Sequence, residues 1–171
     1  ASAEYIGKEL WEQLDGRMTI FASTIGTSGT IYGASSYFKN KNKNIFVIGA
    51  TIKKGSEIPG PRGEENINKL FFPWAKTVDK TIPIDTFSAY KCSLDLVRQG
   101  LFVGPSTGML FASVLETIKN LKKKKLLNKY RNKDKEVVVV FVSGDTMYPY
   151  IDEYFEVLPK KYFKSERTLN K

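Results

Sequence analysis

Apolar residues recur along the chain at two spacings, and the alternation between them outlines the fold. From Glu4 to Leu14, Ile6, Leu10 and Leu14 share one helical face, with Trp11 beside it. Gly16 stands where a helix ends. Ile20-Phe21-Ala22 is a short continuous apolar run and reads as a strand. Gly26-Thr27-Ser28-Gly29-Thr30 follows as a small-residue loop, after which Ile31, Ala34, Ser35 and Phe38 return to helical spacing. The polar stretch 39–44 is a turn. Ile45 to Ile52 is almost entirely apolar, as expected of a strand covered on both faces. Strand, helix and strand in this order predict a parallel sheet.

Residues 53–74 read as a long irregular segment. Its Phe71, Phe72 and Trp74 are expected in a core or an interface rather than around a ligand. Thr81 to Ile84 is a short strand, and Asp85 or Thr86 caps a helix running to Arg98. Phe87, Tyr90, Leu94 and Val97 form its predicted inner face, and Gly100 closes it. Leu101 to Val103 predicts another short strand. The loop Gly104-Pro105-Ser106-Thr107-Gly108 then opens a helix with Phe111, Val114, Leu115, Ile118 and Leu121 inward. Residues 122–135 are a basic, polar insertion. Glu136 to Val142 carries an unbroken valine run and is expected at the centre of the sheet. Ser143-Gly144-Asp145-Thr146 follows it, then a last helix from Tyr150 to Val157 and a loose tail from Pro159. The class is α/β: a mostly parallel, twisted sheet with helices on both faces. One domain is expected over 1–158, with a basic tail over 159–171.

Composition narrows the chemistry. With 171 residues and 42% hydrophobics the chain is long enough for one real core. It has no apolar run of the ~18 residues that span a membrane. Residues 1–16 read as a helix rather than a targeting segment. One cysteine and no histidine exclude an internal disulfide, the ordinary zinc sites and a histidine-based triad. Cys92 lies off its helix stripe with no basic partner in view, so it reads as an unreactive thiol suited to a reducing compartment. The net charge is +9, but only five of the 27 basic residues are arginine. The lysines cluster at 39–43, at 122–125 and in the tail. That pattern predicts solvated surface without sequence-specific nucleic-acid recognition.

The stretch 20–38 carries the candidate chemistry. Strand, Gly-containing turn and helix aim first-turn N–H groups outward, where the helix dipole favours an anion. Gly26 and Gly29 let the backbone approach a ligand closely, and Thr27, Ser28 and Thr30 add hydroxyls. The spacing is neither GxxxxGK[ST] nor GxGxxG. Two readings stand: a phosphate site, or a tight turn that binds nothing, with Gly33 there for close packing. The loops GTSGT, GPSTG and SGDT each follow a predicted strand. In an open α/β sheet such loops gather at the carboxyl edge and favour a shared site.

The loop resembles the G-T-G-G-T phosphate loop of fold-type II pyridoxal-phosphate enzymes, the cysteine synthase and cystathionine β-synthase family, with Ser28 in place of the middle glycine. The order of motifs is similar too. Gly7-Lys8-Glu9-Leu10-Trp11 resembles G-P-E-I-W, and Gly100 to Gly108 resembles G-I-L-V-G-x-S-S-G. VVVVFVSGD resembles the final V-V-V-I-L-P-S-S-G. The match runs from about residue 4 to 157, and its ending looks most like a fungal cysteine synthase-like branch. The resemblance implies that Gly26, Thr27, Ser28, Gly29 and Thr30 hold the phosphate of pyridoxal 5'-phosphate. It implies that Gly104 and Ser106 line the cofactor pocket and that Ser143 bonds the pyridine nitrogen. A two-residue extension after Ser143 leaves Asp145 as the alternative partner. The implied reaction is β-elimination or β-replacement on an O-activated serine to give cysteine.

Two family motifs have no counterpart. GPRGEENINKLFFPW stands where the substrate-cleft motif G-I-G-A-G-F is expected, which leaves the substrate open. The cofactor-anchoring lysine of S-x-K-D-R and the carboxylate loop S-G-N-T-G do not occur, so no residue of this chain is assigned a catalytic role. The chain therefore resembles the C-terminal, larger-domain portion of a longer protein. The implied partners are a small amino-acid substrate, the N-terminal half of the same protein and a second copy in a homodimer. An intracellular setting, cytoplasmic or mitochondrial, is expected. A catalytically inactive relative acting as a binding or regulatory module is the other reading.

Overall fold

The computed structural model describes residues 2–142 and 144–163. Its elements in chain order are α1 (Ser2–Gln13), β1 (Ile20–Thr24), α2 (Gly29–Lys41), β2 (Phe46–Ile52), β3 (Lys80–Ile84), α3 (Thr86–Val97), α4 (Pro105–Lys123), β4 (Val139–Phe141) and α5 (Ile151–Val157). The strands form one parallel sheet in the order β3-β2-β1-β4. Each parallel pair needs a crossover: α2 supplies it between β1 and β2, and the irregular stretch 53–79 with two short 3-10 turns supplies it between β2 and β3, while helices pack on the sheet. They cover both faces, so the strand sequences are apolar on both sides.

The side-chain period of two divides the core. Ile20 and Ala22 of β1 join Ile48, Ala50 and Ile82 beneath Met109, Leu110 and Val114 of α4. Phe21 and Val47 face the other way, against Ile31, Ala34 and Phe38 of α2. Phe21 and Phe38 meet edge to face with ring centroids 4.9 Å apart. A third, smaller cluster joins Tyr90 and Leu94 of α3 to Tyr154 and Leu158.

Local signals set several boundaries. Gly16 takes φ 66° and donates its N–H to the Trp11 carbonyl, closing the turn after α1. Asp85 is the cap of α3, its carboxylate accepting from the Ser88 N–H at 2.8 Å. Pro105 opens α4 in its first turn. The irregular stretch 53–79 is pinned rather than loose. The Arg62 N–H donates to the Ile25 carbonyl at 2.8 Å, and the Ile52 N–H donates to the Arg62 carbonyl at 3.0 Å. Trp74 packs against the core and donates its indole N–H to the Ile67 carbonyl. Phe71, by contrast, is 91% exposed.

The structure corrects several expectations. The valine run 136–142 narrows to three paired residues, and β4 lies at the edge of the described sheet, half-buried. Valine content reports a strand's burial tendency, whereas its place in the sheet depends on which neighbours pair with it. Leu101–Val103 is not a strand. Only Val103 makes an antiparallel bridge, to Thr146, and its carbonyl accepts from Ser93 Oγ. Four residues between the left-handed Gly100 and the start of α4 at Pro105 cannot both leave the turn and pair along the sheet.

On α3 the inner face holds Ala89, Tyr90, Ser93, Leu94 and Leu96, while Phe87 turns outward onto Tyr162. On α4 Leu115 is 48% exposed, and Thr117 and Ser113 take buried positions instead. Both helices bury small residues because they lie close together. A Cβ on Gly108 would overlap the Ala89 carbonyl oxygen. Within the stretch expected to be loose from Pro159, order is also found. Residues 160–163 form a short 3-10 turn whose Tyr162 and Phe163 pack on the third cluster.

Candidate functional site

β1 and β4 are neighbours and run parallel, so the segments that follow them emerge side by side at the carboxyl edge of the sheet. A cavity of about 360 Å³ opens there. Gly26, Thr27, Ser28 and Thr30 form one wall, and Ser106 and Gly144 face them. The structure therefore brings residues of all three small-residue loops into one cavity, although GPSTG follows an isolated bridge at Val103 rather than a strand.

The wall made by the first loop is an anion cradle by its donor set. Gly29 begins α2, and no side chain caps the helix. The Tyr32 N–H already reaches the Ser28 carbonyl at 3.0 Å, so the first-turn N–H groups before it are the ones without helical partners. No acidic residue sits in that first turn. The exposed hydroxyls of Thr27 and Thr30 have no protein partner among the described residues. N–H groups, hydroxyls and the positive end of a helix suit a phosphate.

The glycines act differently from the sequence expectation. Neither Gly26 nor Gly29 takes a positive φ; Ser28 does, at 66°. A Cβ at Gly26 would meet nothing closer than the Gly60 carbonyl at 3.7 Å, and one at Gly29 would meet the Phe72 ring at 3.5 Å. The left-handed residue is thus the serine that replaces the family's middle glycine. Its side chain is buried and donates to the Thr27 carbonyl at 2.6 Å.

The second and third loops are locked to each other. The Asp145 carboxylate accepts from the Ser106 N–H at 2.7 Å and the Thr107 N–H at 3.3 Å, and Thr107 Oγ1 also donates to it. A carboxylate at the start of α4 complements the helix dipole there. The Gly104 N–H donates to the Asp145 carbonyl at 3.3 Å, and a Cβ on Gly104 would collide with Asp145 and with the Thr146 carbonyl. Asp145, Gly104 and Gly29 lie behind the cavity lining, while Ser106 and Gly144 reach it. Ser143 lies outside the described residues.

Lining residues beyond the motifs include Ser23 and Thr24, the last residues of β1, and Ile6 of α1. Their signal in the sequence is position alone, at the carboxyl end of a strand. Phe72 stacks on Tyr32 of α2, with ring centroids 6.1 Å apart. Cys92 is partly buried, and burial pushes its thiol pKa up, away from reactivity.

Comparison with known proteins agrees with this geometry. Cysteine synthase B of Escherichia coli is 36% identical over 116 residues, covering 66% of this chain and 38% of that protein. Cysteine synthase of Aquifex aeolicus is 32% identical over 146 residues, covering 83% of this chain and 42% of that protein. The crystal structure of a cysteine synthase from Entamoeba histolytica superposes with a TM-score of 0.65 at 27% identity, over 93% of this chain and 46% of that one. The chain thus spans less than half the length of these relatives. Residues 1–144 match the family described as pyridoxal-phosphate dependent enzyme, and with the uncapped helix, its hydroxyl loop and the parallel sheet beneath them this chain belongs to that pyridoxal-phosphate-using family.

Proposed function

We propose that the chain is the cofactor-phosphate-binding part of a cysteine synthase-like enzyme that replaces the β-substituent of an O-activated serine to give cysteine. The observation that carries this reading is the uncapped start of α2, with the hydroxyls of Thr27 and Thr30 beside it, opening onto a cavity of about 360 Å³. The residues fit the group. The loop 26–30 would hold the phosphate of pyridoxal phosphate, and Ser106 would border it. Bound, that cofactor draws electrons away from the bonds at a substrate's α-carbon.

Ser143 is the proposed hydrogen-bond partner of the pyridine nitrogen. The engagement of Asp145 at the start of α4 supports this choice over the carboxylate. A neutral hydroxyl in that place leaves the ring nitrogen less protonated, which suits elimination and replacement at the β-carbon. The lysine and the carboxylate loop that complete such a site would come from another segment, the N-terminal half of the same protein. A cleft between two halves orients the reacting groups, and orientation of this kind supplies ~7–11 kcal/mol of barrier reduction.

Cofactor retention tests the reading. Each charge-assisted contact contributes roughly 1.5–3 kcal/mol, so Thr27→Ala should weaken pyridoxal-phosphate binding by about tenfold to a hundredfold. Gly29→Val, which thrusts a branched side chain between the helix start and the Phe72 ring, should do the same. Equilibrium dialysis of both variants in the complete protein gives the answer. Wild-type retention in both places the phosphate elsewhere.

A further inference from the structure

A second cavity lies at the opposite, amino-terminal edge of the sheet. It has a volume of about 450 Å³ and is walled by the lead-in to β1, the turn before β2 and the segment after α4. Among the described residues its lining is mostly cationic: Arg17, Lys129, Arg131 and Lys133 stand against one carboxylate, Asp15. A smaller cavity of about 270 Å³ shares Asn44, Lys129 and Tyr130 with it and adds Lys43.

The cations differ in how they are occupied. Arg17 pairs loosely with Glu136 at 3.8 Å, and Arg131 donates to Asn128 and to the Lys135 carbonyl. Lys39, nearby, is held by Asp79 at 2.6 Å. Lys129, Lys133 and Lys43 have no acidic partner among the described residues. The wall that carries them is fixed in place: Asn132 donates to the Arg17 carbonyl at 3.2 Å and accepts from the Asp134 and Glu136 N–H groups at 3.0 Å each.

Flat apolar surface completes the cavity. The Trp11 ring lies against the backbone of Gly16, where a Cβ would stand 2.8 Å from it. Tyr130 is backed by Phe46, with ring centroids 5.1 Å apart. Unpaired cations, asparagine amides and two braced aromatic rings around a concave space match a ligand that is both multiply anionic and planar. A concave rather than linear arrangement, with Arg17 and Arg131 engaged by the protein and only lysines without an acidic partner, fits a small molecule better than a nucleic-acid strand.

We propose that this cavity binds a nucleoside phosphate, with the phosphates on Lys129 and Lys133 and the base against Trp11 and Tyr130. It is separate from the cofactor loop, which stands at the other end of the strands. The chain has two tryptophans, so Trp74→Phe leaves Trp11 as a local fluorescent reporter. In that background adenosine diphosphate should change Trp11 emission saturably. Lys129→Ala combined with Lys133→Ala should weaken the binding at least tenfold with an unchanged circular dichroism spectrum. Thr27→Ala should leave the titration as it was. Inorganic pyrophosphate should compete, more weakly than the nucleotide.

Four results overturn the proposal: no saturable change, full affinity in the double variant, loss of binding in Thr27→Ala, or a short single-stranded oligonucleotide binding more tightly than the nucleotide. Pyrophosphate binding as tightly as adenosine diphosphate would overturn the nucleoside assignment.

Discussion

Ser28 shows how much a single position in the loop is asked to do. It holds φ 66°, a conformation that costs an L-residue about 1–2 kcal/mol. Its hydroxyl returns about 1 kcal/mol by donating to the Thr27 carbonyl. Glycine would relieve the strain, but it would lose that bond and add roughly 0.5–1 kcal/mol of unfolded-chain entropy. Ser28→Gly should therefore melt within a few degrees of wild type. Ser28→Val loses the bond and forces a β-branched residue into the left-handed region, for a cost of about 2–4 kcal/mol. Scanning calorimetry distinguishes the two, and a Ser28→Val protein that melts with wild type would remove the strain from this account. Asp145 makes the complementary case. In sequence it stands as the alternative to Ser143 at the pyridine nitrogen; in the fold its carboxylate accepts from the N–H groups of Ser106 and Thr107 at the start of α4.

At the scale of elements, the contact of α3 with α4 and α5 governs how firmly the second loop is held. Gly108 lets α4 lie against the backbone of α3. Tyr90 and Tyr154 tie α5 to the same helix. Tyr90 donates to Glu153, and Ser93 and Tyr154 share a hydrogen bond between their hydroxyls. Burial first, and then the bond to Glu153, raise the Tyr90 pKa well above the ordinary tyrosine value. Burial raises that of Tyr154 as well. The folded state therefore keeps protons that the unfolded chain releases near its ordinary value of about 10. Stability from this source is complete below that pH and is lost progressively above it. Urea unfolding at rising alkaline pH should show a downward slope that Tyr90→Phe makes shallower. An unchanged slope in the variant would assign the alkaline loss to other groups.

At the scale of the molecule, apolar surface remains outside. Phe102 and Tyr148 stack on each other while being 58% and 67% exposed, and Leu101 beside them is 54% exposed. The outer edge of β4 has no neighbour among the described strands. Open strand edges and contiguous apolar surface both favour association. Sedimentation should show species heavier than 19.4 kDa growing with concentration, and Phe102→Asp should shift them towards the monomer. A chain that stays monomeric throughout would show that these surfaces are too small or too mixed to bind.

The α/β class, the parallel order of strand and helix, the cap at Asp85 and the loop at 26–30 could all be read from the chain. Each rests on spacing or on residues a few positions apart, and local backbone preference expresses them wherever the segment lies. The edge position of β4, the failure of Leu101–Val103 to pair and the attachment of Asp145 to α4 could not. Each depends on a partner distant in the chain: β1 for β4, Thr146 for Val103, and the N–H groups of Ser106 and Thr107 for Asp145. The inward faces of α3 and α4 differ from their apolar stripes for the same reason, since close packing at Gly108 selects small residues over large ones. Sequence determined most of the segments that form helices and strands, and the turn that joins β1 to α2. Tertiary structure decided which of them meet, because backbone pairing and close packing are completed only by residues that the chain brings in from elsewhere.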